Sequence, residues 1–67
     1  MIEITVNGEK RQLAQASTVA GLLDMLGLAG KRIAVERNGE IVPRSRHADE
    51  PIVGGDRLEI VVAVGGG

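Results

Sequence analysis

Few residues in this 67-residue sequence are of a type that does chemistry, and most of those stand without partners. The one histidine, His47, lies in a polar stretch with no second histidine and no cysteine beside it, so neither a metal set nor a nucleophile–base pair can be assembled around it. It is expected to be an ordinary surface residue, and no metal ligands are assigned. Asp49 and Glu50 are neighbouring acids in a loop and, without a pocket, read as solvated charges rather than an acid–base pair. Gly54-Gly55-Asp56 lacks the lysine and following hydroxyl of a phosphate-binding loop, so it reads as a turn.

The final run, Gly65-Gly66-Gly67, is different. Without Cβ atoms, an extended glycine run fits a channel too narrow for side chains, so Gly65 and Gly66 would give access to a buried catalytic centre. The α-carboxylate of Gly67 has a reference pKa of about 3.3 to 3.7 and is ionised at neutral pH. Such a carboxylate can attack the α-phosphate of ATP held by another protein, forming an acyl adenylate. A sulfur nucleophile, typically a persulfide, can then displace AMP and leave a terminal thiocarboxylate. With no cysteine in the chain, the sulfur must come from outside and be carried at the carbonyl itself. No cofactor is expected to be bound, ATP being used by the partner enzyme.

Composition narrows the alternatives. A chain this short buries only about 60% of its unfolded surface, which leaves room for one core and no deep cleft. At 43% hydrophobic and 25% charged residues it should fold rather than stay disordered. A formal net charge of -1, scattered basic residues and an absence of aromatics argue against nucleic acid as a partner. No charged leader precedes a long apolar run, and the aliphatic stretch from Ile60 to Val64 is far too short to cross a bilayer. The expectation is a cytoplasmic protein with no membrane partner.

The elements that must position the glycines follow from periodicity. Ile2, Ile4 and Val6 alternate with polar residues as a half-buried strand, and Asn7-Gly8 suits a tight hairpin, pairing residues 10–14 back with Leu13 inward. Ser17 or Thr18 can cap a helix whose Val19, Leu22, Leu23 and Leu26 form one stripe. Gly27 followed by Leu28 suits a Schellman ending, whereas Gly21 weakens the helix by roughly 1 kcal/mol relative to alanine. Ile33 and Val35 give a third strand, Asn38-Gly39 a second hairpin turn, and Ile41-Val42 a short strand stopped by Pro43. Residues 44–51 read as an irregular connection, after which Leu58, Ile60 and Val62 alternate as the last strand.

This order predicts an α+β, ubiquitin-like β-grasp: a mixed sheet of four to five strands, one main helix on one face, and the last strand central and parallel to the first. The expected organisation is a domain over residues 1–63 and a flexible tail over residues 64–67. Val61 and Ala63 would lie on the uncovered sheet face, and with Val64 they are the first candidates for docking a partner.

Along its whole length the sequence resembles the ThiS family of sulfur carriers in thiamine biosynthesis. The resemblance rests on Val6-Asn7-Gly8, Thr18-Val19 with Leu22-Leu23, the run from Ala34 through Arg44, the run from Gly55 through Val61, and the glycine tail. It implies a carrier with no catalysis of its own. Its partners would be an E1-like adenylyltransferase (ThiF-type) that activates Gly67, a desulfurase system that donates sulfur, and a thiazole synthase (ThiG-type) that consumes the thiocarboxylate. The family's minimal tail is a glycine pair, so the working residue is either Gly67 as written or Gly66 after trimming. Two alternatives share the tail: a molybdopterin-synthase small subunit, whose phenylalanine- and proline-rich approach is replaced here by Val62-Ala63-Val64, and a ubiquitin-like protein modifier.

Overall fold

A computed structural model of the chain describes residues 1–63. Strand β1 (Ile2–Val6) buries Ile4 and Val6 on one face and runs antiparallel to β2 (Glu9–Leu13). Their two-residue connection needs a backbone with positive φ at both positions, which Asn7 (51°) and Gly8 (83°) supply. Asn38 (53°) and Gly39 (87°) repeat the device between β4 (Ile33–Arg37) and β5 (Glu40–Val42).

Between the hairpins lies helix α1 (Val19–Met25), only seven residues long. Alone in water so short a helix would not persist, so its stability comes from burying Val19, Leu22 and Leu23 on the sheet. Its ends are well satisfied. Gly21 N–H donates to Thr18 Oγ1 at 3.1 Å, Val19 N–H to Glu50 O at 3.0 Å and Ala20 N–H to His47 O at 2.8 Å. At the other end Leu28 N–H reaches Leu23 O and Gly27 N–H reaches Asp24 O, the Schellman pair, with Gly27 at φ 74°.

The sheet order is β2-β1-β7-β4-β5, and β7 (Arg57–Val62) is central, parallel to β1 and antiparallel to β4. Five strands with one helix over one face are the β-grasp arrangement expected from the order of elements. The core is wholly aliphatic, with Ile4, Leu22, Ile52 and Leu58 among its most deeply buried side chains.

Two features depart from the sequence reading. Residues 44–51 are not irregular throughout: Arg44–Arg46 form a 3-10 turn, and β6 (Pro51–Ile52) pairs with β3 (Ser17–Thr18) in a separate two-stranded sheet. The reason lies in the helix, whose first N–H groups need acceptors that this segment's carbonyls provide. His47 is likewise not a surface residue but 8% exposed, its Nε2–H donating to Val42 O at 3.1 Å.

Asn7 does more than shape its turn. Beyond the last strand pair between β1 and β7, Val6 with Leu58, its Oδ1 accepts from Ile60 N–H (2.7 Å) and its Nδ2–H donates to Ile60 O (3.0 Å). The side chain thereby replaces one residue of a strand. Asn7→Gly keeps the positive φ and deletes both bonds, and is expected to cost about 1–3 kcal/mol, read as a lower urea midpoint at unchanged m-value.

Candidate functional site

The candidate site is the C-terminal exit of β7 and the surface around it. Ala63 N–H donates to Arg32 O at 2.9 Å, continuing the β4 ladder past Val62, which pairs with Ile33. That bond sets the phase of the strand: odd-numbered residues turn their backbone groups to β4 and even-numbered ones to β1. Val62 therefore directs its N–H and C=O toward the side that β1 has already left at Asn7. Val64, Gly65, Gly66 and Gly67 lie outside the described residues.

Val61 and Ala63 are exposed, as the alternation requires, and Val61 is 63% accessible on the sheet face away from α1. Across the ladder from Val61 stands exposed Ala34, and Ile41 of β5, 68% accessible, shares the face. Glu36 and Glu59 sit directly opposite one another in the adjoining row. The face thus carries a small apolar patch beside an acidic pair. Ile41 was missed as a surface candidate; its signal was present, since buried Val42 beside it obliges Ile41 to point outward.

The far end of β7 is locked by ionic contacts. Arg37 Nε meets Asp56 Oδ2 at 2.8 Å and Arg37 Nη1 meets Glu50 Oε2 at 3.1 Å. Asn38 Nδ2–H (3.0 Å) and Val53 N–H (2.8 Å) also donate to Asp56, which is only 4% exposed. Glu50 is therefore a paired group rather than a solvated one, and it holds Arg46 as well. Asp49 is exposed, as expected.

Burial alone would raise the Asp56 carboxyl, but the hydrogen bonds from Arg37, Val53 and Asn38 outweigh it and hold the group below its ordinary value. The Asp56 contacts in turn raise Arg37. A carboxyl lowered in the folded state contributes stability that is complete above its unfolded pKa and is lost as pH falls through the folded one. The melting temperature is therefore expected to fall as pH drops below about 4. In Asp56→Asn that part of the slope should vanish while stability at neutral pH is lower, which thermal melts at a series of pH values would read.

Among the described residues no group of His, Asp and Glu could hold a metal ion, and no helix is long and apolar enough to cross a membrane.

The fold and this exposed C-terminal exit define a ubiquitin-like β-grasp domain. The family model for ThiS matches residues 3–67, and the chain belongs to that family. The crystal structure of the thiamine biosynthesis protein ThiS from Geobacter metallireducens superposes with a TM-score of 0.84 at 32% identity, covering 98% of this chain and 100% of that one. The thiazole synthase of Paramagnetospirillum magneticum is 46% identical over 66 residues, which are 98% of this chain and 20% of that protein. That of Magnetococcus marinus is 36% identical over the same shares. The chain thus spans about a fifth of the length of these two relatives.

Proposed function

We propose that the chain is a sulfur carrier for thiazole formation in thiamine biosynthesis, and that it is not itself an enzyme. The carboxylate of Gly67 attacks the α-phosphate of ATP on an E1-like, ThiF-type adenylyltransferase, and pyrophosphate leaves. The terminal sulfur of a persulfide from a desulfurase system then attacks the acyl carbonyl and expels AMP. A second thiol cleaves the resulting acyl disulfide, leaving the thiocarboxylate, and a ThiG-type thiazole synthase takes the sulfur.

The observation that carries this reading is the family match, which runs through the glycine tail to residue 67. Two further points support it. A cysteine-free chain has no thiol of its own on which to hold sulfur. Relatives that are themselves named thiazole synthase contain a stretch matching nearly all of this chain, consistent with carrier and synthase working side by side.

The reading needs the glycine run to be the free end of the working polypeptide, which the intact mass of the native protein checks. Incubation with ATP, the activating enzyme and a persulfide donor should then exchange one oxygen for one sulfur. An adduct on a lysine of another protein, with no such exchange, would point instead to a protein modifier.

A further inference from the structure

Both asparagines of the chain, Asn7 and Asn38, are followed by glycine. At such a pair a chain can modify itself, because a glycine has no Cβ to keep its backbone nitrogen from the asparagine's Cγ. A bond forms between that nitrogen and Cγ, the Cγ–Nδ2 bond breaks, and ammonia leaves a five-membered imide behind. Water then opens the imide. Attack at Cγ gives aspartate, and attack at the main-chain carbonyl gives isoaspartate.

The two pairs stand in the same kind of two-residue turn, with positive φ at all four residues, and both are exposed to water. Nothing crowds either glycine. They differ in what holds the amide. Attack requires the amide plane to turn its face to the glycine nitrogen, and bonds from both Oδ1 and Nδ2 to other atoms oppose that turn. Each site therefore waits for its clasp to open.

Asn7 is held only by the neutral backbone of Ile60, through Ile60 N–H at 2.7 Å and Ile60 O at 3.0 Å, past the last pair of β1 with β7. Asn38 Oδ1 accepts from Arg57 N–H at 2.9 Å, but its Nδ2–H donates to the carboxylate of Asp56 at 3.0 Å. That carboxylate is itself buried and fixed by Arg37 Nε and Val53 N–H, each at 2.8 Å. A hydrogen bond to an ionised group is roughly twice as strong as one between neutral groups. Asn38 is thus released less often than Asn7.

We propose that Asn7-Gly8 is a self-modification site: the folded chain converts Asn7 to aspartate or isoaspartate, with water as the only co-reactant, while Asp56 holds Asn38 back. The product undoes the clasp. An aspartate has no hydrogen to give Ile60 O and sets a negative oxygen beside it, and an isoaspartate adds a carbon to a two-residue turn. Either change loosens β7 where its exit begins, and the loss of ammonia makes it one-way.

The test is to incubate the full chain in mildly alkaline buffer, folded and in urea, and to follow the exchange of amide for acid at each asparagine by peptide mapping and mass spectrometry. Dividing each folded rate by the same site's rate in urea removes any difference between the two local sequences. Both corrected rates should show protection, with Asn38 about tenfold slower than Asn7. A corrected ratio under about threefold overturns the proposal, as does the reverse order or no conversion at either site in the folded chain. Conversion of Asn7 as fast folded as in urea overturns it too, since the Ile60 clasp would then gate nothing. The chain modified at Asn7, separated by its added negative charge, is expected to unfold at lower urea than the parent, and equal midpoints would overturn the loosening.

Discussion

A chain shortened by Gly66 and Gly67 is expected to melt with the parent protein and to acquire no sulfur at all. The body should not notice the loss, because the buried cluster ends with β7 and the last backbone pairing among the described residues is Ala63 with Arg32. The chemistry should notice it completely. Two extended residues span about 7 Å, and a displacement of only about 1 Å at a reacting atom can cost roughly a hundredfold in rate. Mass spectrometry after incubation with ATP, activating enzyme and donor reads one outcome, and circular dichroism the other. Sulfur gain in the shortened chain would remove the role given to the tail.

Leu58→Ala is expected to leave the domain largely unfolded at room temperature. Leu58 is wholly buried in the central strand, opposite Val6 on β1 and Arg37 on β4, so a cavity there opens between both ladders. Truncating a buried leucine costs about 2–5 kcal/mol, whereas a core in a domain this small supplies only about 3–5 kcal/mol. Val61→Ala, three residues away on the open face, should change stability by no more than about 0.5 kcal/mol. Urea titrations of the pair compare the two faces of one strand directly, and a cooperative, near-parental transition for Leu58→Ala would contradict the assignment of the core.

Both hairpins could be read from two asparagine-glycine pairs, because few other residue pairs accept positive φ twice in succession. The helix was readable from its apolar spacing, its threonine cap and the Gly27-Leu28 ending, and β7 from strict alternation. The β3–β6 pairing was not readable. Each partner is two residues long, too short for a period, and they meet beside the helix start, whose first N–H groups find their carbonyl acceptors in the same segment. The lock between Arg37 and Asp56 spans 19 positions, and ordinary charged residues give no sign of a partner that distant. His47 was misplaced for the same reason: a polar neighbourhood in sequence says nothing about which way a 3-10 turn rotates one ring. Around the site, the exposure of Val61 and Ala63 was readable from alternation.

The side chain of Asn7 sets where a pull on the C terminus would stop. Ala63 is moored on the β4 side alone and Val62 has no strand on its β1 flank, so traction on this end would release them first. At Ile60 the peeling strand meets the asparagine's double clasp on one flank and the β4 ladder on the other. The domain can thus pay out a few residues of extra line while the hydrophobic interior stays shut.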